Sequence, residues 1–415
     1  MNQRNIRQLA TGSFYPVSAR FAVLSGALFY GSSVFAVEPQ GVSLGSGLSI
    51  FPDFSMSVVN DDNAYLQPDE SKQELNYTKL NPGVALEGDF GRYQFRAGYE
   101  AEKGIYNSTY DDNYLDHRIG LSSEIEVSSR QVVDVSAGFK SGHDARGRGT
   151  VEGSDALGIK YPDEYNELTA RGKFTHGADK AFANVSTRFE AYDKRYKNNF
   201  ENGTRNRDHQ KLTAGVQSSF YLSEDSGLLL DLSYTDVAYK NDSSVADNRE
   251  GGILRALGGA GWDITGKTRG SVKVGVVRRS FDSDVVDDDT RLTWEANLFW
   301  SPKTYSRFTL GSAQSANETS GPGNYVDSSL TSLAWDYTIS SFYAVSADIM
   351  YLVDDFYRSD DGRSDSTISF GLKGVYSPVE KFDLSLSFKN ANRDSSDSSL
   401  DYSQNVVSLG AEIAI

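Results

Sequence analysis

The residues of this chain best placed to do chemistry are basic, and they recur at alternate positions of short segments. Arg96, Arg118, Arg171, Lys173, Arg188, Arg255, Arg269, Lys273, Arg279, Arg291, Arg307 and Lys373 all stand on the polar side of such segments. Residues two apart along a strand share a face, so these cations lie opposite the apolar neighbours that interleave them. Lys140, Lys211 and Lys389 share the polar phase, with Glu100, Glu124, Asp134, Glu190, Asp231, Glu295 and Asp348 among its acids. Basic residues outnumber acidic ones in this set. Dispersed guanidinium and ammonium groups set an electric field, and a pore lined by them favours anions and carboxylated or phosphorylated polymers. For any one arginine the competing role is a salt bridge to a carboxylate on a neighbouring strand, which stiffens the wall.

Catalysis finds little material. The four histidines are His117 in the apolar phase, His143 in a predicted loop, His176 at a short turn and His209 in the polar phase. No Ser-His-Asp or Asp-His constellation can be assembled from them at matched depth, so the chain reads as a non-enzyme that needs no cofactor. The absence of cysteine removes disulfides and thiolate metal sites. Acidic clusters occur at Asp61, Asp62, Asp69 and Glu70, at Asp282, Asp284, Asp287, Asp288 and Asp289, and at Asp354, Asp355, Asp360 and Asp361. Their spacing departs from the Asp-x-Asp-x-Asp-Gly pattern of a calcium loop. They read as a solvated acidic rim that carries most of the net charge of -16, and no nucleic-acid partner is expected.

The elements that position the cations are strands. In Arg92 to Glu102, Tyr93, Phe95, Ala97, Tyr99 and Ala101 alternate with Arg92, Gln94, Arg96, Gly98 and Glu100, and Arg291 to Trp300 repeats the pattern. Period-two alternation marks a strand with two different faces. Such segments are predicted near 48–59, 80–87, 92–102, 114–127, 131–141, 165–175, 181–193, 209–222, 228–238, 253–264, 268–281, 291–300, 304–314, 325–337, 342–353, 364–376, 382–390 and 402–415. Short connections, such as Ser128 to Arg130 and Ser301 to Lys303, alternate with longer polar ones near 60–76, 142–164, 194–208, 239–250, 282–290, 315–324, 354–363 and 391–401. This predicts an all-β fold, a transmembrane antiparallel up-and-down β-barrel of about 18 strands with short periplasmic turns and long extracellular loops. A soluble sandwich would put the apolar face inside and use shorter strands. In lipid every backbone polar group must be paired, so the sheet has to close.

At 415 residues, with 38% hydrophobic and 12% aromatic residues and a mean hydropathy of -0.47, the chain has no room for bilayer-spanning helices. Arg4, Arg7 and Arg20 precede an apolar run ending Val34-Phe35-Ala36, so residues 1–36 are expected to be a cleaved signal peptide and 37–415 a single outer-membrane barrel. Trp262, Trp300 and Trp335 fall near short turns, where an interfacial girdle would sit. Ala296, in the lipid phase, should tolerate no charge, whereas a charge change at Glu295 is expected to spare folding. The longest connection, Gly142 to Glu164, is glycine-rich, carries Arg146, Arg148 and Lys160, and could fold inward to narrow the pore or stay at the surface.

The stretch Phe51-Pro52-Asp53-Phe54-Ser55-Met56-Ser57 leading into Asn60-Asp61-Asp62-Asn63, the stretch Asn324-Tyr325-Val326-Asp327-Ser328-Ser329-Leu330 and the ending Asp401-Tyr402-Ser403-Gln404-Asn405-Val406-Val407-Ser408-Leu409 resemble the putative beta-barrel porin 2 family. Members accompany exopolysaccharide and capsule secretion systems. The resemblance implies an eighteen-stranded porin of the Gram-negative outer membrane, set in lipid and lipopolysaccharide and inserted by the barrel assembly machinery. It further implies a separate periplasmic polysaccharide export protein as partner and a polysaccharide as substrate. The competing function is a general diffusion or uptake porin for small solutes, and a third is a barrel anchor or adhesin. The chain departs from many outer-membrane barrels by ending in Leu409, Ala411, Ile413 and Ile415 without a terminal aromatic.

Overall fold

The computed structural model describes residues 41–178, 181–241, 249–264, 266–319, 321–358 and 362–414. The predicted signal peptide, residues 1–36, lies outside them, as do Asp360 and Asp361. The elements in chain order are β1 (Val42–Gly45), β2 (Leu48–Asp61), β3 (Leu75–Asp89), β4 (Tyr93–Tyr106), β5 (Tyr114–Ser128), β6 (Gln131–Asp144), β7 (Asp163–His176), β8 (Ala183–Tyr196), β9 (His209–Tyr221) and β10 (Ser226–Tyr239). They continue as β11 (Gly251–Ile264), β12 (Thr268–Phe281), β13 (Asp289–Lys303), β14 (Ser306–Asn317), β15 (Tyr325–Thr338), β16 (Tyr343–Tyr357), β17 (Ser364–Val379), β18 (Phe382–Ser395) and β19 (Tyr402–Ala414).

Each strand from β2 onward pairs antiparallel with the next. The last, β19, pairs back on β2 from Val406↔Asp61 to Ala414↔Asp53, which closes the sheet. Closure removes the edges that would otherwise leave backbone groups unpaired. The extra strand β1 folds back on the start of β2, with Val42 opposite Ile50. No described helix is long and apolar enough to cross a membrane.

All eighteen predicted segments are strands of this wall. The short β1 was not expected, and β3 begins at Leu75, well before the predicted start, because the inward Leu75 and Tyr77 obscure the alternation there. The connection 107–113, absent from the predicted long loops, joins β4 to β5 at the same end as the others. That end carries 62–74, 107–113, 145–162, 197–208, 240–250, 282–288, 318–324, 358–363 and 396–401. The opposite end has turns as short as 129–130 and 304–305.

The two faces of the wall are identified by contacts that skip strands. Arg188 on β8 reaches Asp231 on β10 at 2.8 Å, and Arg255 on β11 reaches Glu295 on β13 at 3.4 Å. Adjacent strands are about 4.8 Å apart, so such pairs converge most readily on the concave side. The intervening phase, for example Leu228, Leu230 and Leu232 of β10, is apolar and exposed on the convex side. On that side Trp300, Phe308 and Trp335 stack in sequence near the short turns, with Tyr337 and Tyr305 beside them. This is the arrangement expected of an interfacial girdle.

Candidate channel lumen and mouth

Strand phase puts all twelve singled-out cations on the concave side, and nine of them make ion pairs there. Arg96 pairs with Glu87, Arg118 with Glu100, Arg171 with Glu190, Arg188 with Asp231, Arg255 with Glu295, Lys273 with both Asp231 and Glu295, Arg279 with Glu318, Arg291 with Asp289 and Asp327, and Arg307 with Asp336. Of the others, Arg269 lies over the Phe299 ring at 5.0 Å. Lys173 acts electrostatically on Asp134 and Glu124, and Lys373 on Glu412. Stiffening of the wall by neighbouring carboxylates is therefore the common arrangement.

The centre of this network is a ladder across six strands. Lys273 Nζ on β12 lies 3.1 Å from Glu295 Oε1 and 3.4 Å from Asp231 Oδ2, while Arg188 and Arg255 hold the far sides of the two carboxylates. Lys273 and Arg279 are each only 1% exposed. Neither is offered to lumen water as a free cation, so each acts through its neighbours. Glu295, expected to accept a charge change, is 8% exposed and shared by two cations.

The concave phase also carries acids beyond those first counted, among them Asp53, Glu87, Glu102, Asp116, Glu167, Asp336, Asp383 and Glu412. They lie near strand ends or on strands whose alternation is weaker. Register, which ties them to neighbours already placed, is the signal that finds them. The basic excess that the cations alone suggest is thereby offset. The wall is closer to a neutral surface of paired charges and hydroxyls than to an anion-selective one.

At the mouth two hairpins leave the cylinder. The β5–β6 ladder stops at His117↔Ser141 although β5 begins at Tyr114 and β6 runs to Asp144. The β13–β14 ladder stops at Glu295↔Ala313 although β13 begins at Asp289 and β14 runs to Asn317. Beyond both seams the strand's outward phase meets the previous strand's concave side. His143, which belongs to β6 and not to a loop as expected, bonds Asp116 at 2.9 Å and packs on Tyr114 at 3.9 Å between ring centroids. In the same way Gln314 Nε2 bonds Asp327 at 2.8 Å, and Asp327 meets Arg291 of β13 at 3.0 Å.

The connection after β6, residues 145–162, crosses the mouth as a strap. Near its root Arg146 bonds Asp112 at 2.6 Å and lies over the Tyr65 ring at 4.1 Å. Arg148 reaches Gln404 on β19 at 3.0 Å. At the tip, Glu152 pairs with Arg363 at 2.7 Å and with Arg393 on β18 at 3.1 Å, and both arginines share Asp365. Gln67 donates to the Gly153 carbonyl at 2.6 Å. Two glycines make this approach feasible. Gly147, at φ +78°, packs so closely that a Cβ would collide with the Tyr65 carbonyl oxygen, and Gly153, at φ +59°, packs against Leu400 and the Ser399 carbonyl. Of the two positions open for this connection, the inward one is observed.

From the other seam, Glu318 reaches inward to Lys211 on β9 at 3.5 Å and Arg279 on β12 at 3.6 Å, and it accepts from the Tyr239 hydroxyl at 2.5 Å. Burial pushes the Glu318 carboxyl up, but the charges of Arg279 and Lys211 outweigh it and hold the group at about 2. Arg249 donates to the Gly321 carbonyl at 3.0 Å. Beneath the strap and this hairpin runs a partial belt of concave-side rings. Tyr77 stacks on Tyr106 at 4.6 Å, Tyr165 meets Tyr196, and His209 lies between Tyr192 and Tyr239 at 5.6 Å from each. Neither His209 nor His143 has a nucleophile and carboxylate arranged as a triad. Among the described residues no group of three or more histidine or carboxylate side chains could hold a metal ion.

A model of the family described as putative beta-barrel porin 2 matches residues 36–415. No curated protein matches the chain. Among solved structures, similar folds include the FrpB iron transporter from Neisseria meningitidis (F3-3 variant), at 9% identity and a TM-score of 0.45, covering 84% of this chain. This chain spans 63% of that protein's length. A mutant form of the ferric enterobactin receptor PfeA from Pseudomonas aeruginosa matches at 9% identity and a TM-score of 0.45, over 88% of this chain and 80% of the receptor. A bacterial polysaccharide outer membrane secretin matches at 9% identity and a TM-score of 0.37, over 88% of this chain and 98% of the secretin.

Proposed function

The chain belongs to the putative beta-barrel porin 2 family, and from that premise we propose that it is an outer-membrane channel exporting an exopolysaccharide or capsular polysaccharide. In this reading a separate periplasmic polysaccharide export protein delivers the polymer to the short-turn end, and the long connections face outward. The observation that carries the reading is the chemistry of the concave wall. Its cations are largely paired, and hydroxyls of Ser122, Ser136, Thr213, Ser233, Thr235 and Ser387 are interspersed among them in the same strand phase. Such a surface offers a hydroxyl-rich chain many weak, exchangeable hydrogen bonds and no single tight site, which translocation requires. Eighteen strands also enclose more space than side chains alone fill.

The paired wall favours a polymer recognised by its hydroxyls over one captured by charge. The test is to delete the protein from its native cell and quantify secreted polysaccharide, with liposome-swelling rates of the purified barrel for mono- and disaccharides in parallel. Loss of secreted polymer with slow swelling supports export. Unchanged secretion with fast swelling would assign the barrel to small-solute diffusion instead.

A further inference from the structure

We infer that the strap 145–162 is a gate, latched shut by Glu152 against Arg363 and Arg393 on the far side of the mouth. The inference deepens the export reading, since it names how the same passage would be opened. Three observations carry it. First, the β6–β7 hairpin is released from the cylinder along one side, because its ladder to β5 ends at His117↔Ser141. Its other ladder, to β8, continues from His176↔Val185 to Tyr165↔Tyr196. A hairpin held by a backbone ladder on one side and only by side chains, such as His143 on Asp116, on the other has a hinge line. Second, the strap bears on parts of the wall remote from its root. Besides the flanking connections 107–113 and 197–208, it touches the connections 62–74, 358–363 and 396–401 and the strands β18 and β19.

Third, these contacts are mostly polar and reversible. Apart from the buried Ala156, the packing of Gly153 on Leu400 and the contacts of Arg146 and Gly147 with Tyr65, the strap is held by hydrogen bonds and ion pairs, with the side chains of Arg363 and Arg393 only 6% and 9% exposed. A lid that merely completed a core would bury large apolar side chains, where this strap buries one alanine, whereas a charged latch can exchange its partners for water or for a polymer's hydroxyls. Opening would uncover the tyrosines beneath, rings whose faces suit the apolar side of sugar units. The opposite hairpin, with Glu318 on Lys211 and Arg279, narrows the mouth from its own side.

The chain contains no cysteine, so a pair introduced by Gly153→Cys and Leu400→Cys, where a Cβ at residue 153 would stand 2.9 Å from Leu400 Cδ2, can form one disulfide only. The purified, lipid-reconstituted barrel is examined in planar bilayers, and heat-modifiable gel mobility establishes that each variant is folded. The oxidised pair should conduct least, and reduction should restore openings. Glu152→Arg, which sets like charges together at the latch, should raise open probability on the order of 100-fold over the unmodified barrel. Folded variants that conduct alike when oxidised, reduced and latch-reversed would overturn the gate, as would failure of the two cysteines to cross-link. Either result would leave the export reading standing, because polymer secretion is measured separately.

Discussion

Removing the Lys273 ammonium while keeping its length, by Lys273→Met, tests whether the ion-pair ladder is part of what holds the wall together. In the native barrel this group is 1% exposed and lies 3.1 Å from Glu295 and 3.4 Å from Asp231. The substitution leaves two nearly buried carboxylates with only Arg188 and Arg255 to compensate them, and breaking a buried pair in this way costs about 3–5 kcal/mol. Arg96→Met serves as the comparison, because the Arg96–Glu87 pair has side chains 62% and 39% exposed. Such a pair contributes about 0–1 kcal/mol. Urea unfolding of the barrel in lipid vesicles, followed by tryptophan fluorescence, should therefore separate the variants by roughly 2–5 kcal/mol. Neutralising the whole ladder, by adding Arg188→Met, Arg255→Met, Asp231→Asn and Glu295→Gln to Lys273→Met, should recover much of the loss, since it leaves no ladder charge without its partner. Equal costs for Lys273→Met and Arg96→Met would refute the ladder as a structural element.

Further outcomes are open to measurement. A tag inserted near Asp287 should be reachable on intact cells and one near Gly266 should not; the reverse would invert the barrel. Ala296→Arg should cost about 2–4 kcal/mol at mid-bilayer depth, and Glu295→Lys should also be damaging, through repulsion from Lys273 and Arg255. Gly147→Ala should leave the barrel folded and raise conductance, because a Cβ at positive φ displaces the strap from Tyr65. Glu318, whose folded-state group is held at about 2, below the ordinary glutamate value of 4.5, contributes stability that is fully present above that ordinary value and is lost as pH falls towards 2. The Glu318 contacts should thus persist from neutral pH to about 4, while Glu318→Gln should loosen the β14–β15 hairpin at every pH, as read by amide exchange of Asn317 and Thr319.

The wall was legible because two solvents impose its pattern. Lipid on one face and water on the other force alternation, so Tyr93 and Tyr99 can be assigned outward and Arg96 and Glu100 inward from residue type alone. Pairing partners were less legible. Arg188 and Asp231 are far apart in the chain, and only the registers of β8 on β9 and β9 on β10 bring them to 2.8 Å. The field inferred from cations by themselves was therefore too positive. At the apolar concave-side residues Leu229, Val237, Leu257 and Val277, neighbouring side chains and not lumen water surround the side chain.

The mouth was illegible for a different reason. A strand that bends inward presents its outward phase to protein, so that phase should turn polar near the bend, and it does at Ser141 and His143 and again at Ser312 and Gln314. Strands that stay in the wall do the same where they rise out of the bilayer, as at Asp236 after Tyr234. Polar character above the apolar band thus marks height and not direction. What distinguishes the bent hairpins is tertiary. His143 finds Asp116, and Glu152 finds Arg363 and Arg393, partners more than two hundred residues away. The clearest local trace is steric. Gly147 and Gly153 occupy left-handed backbone conformations against another loop, where a freely solvated loop would have little need of a missing side chain.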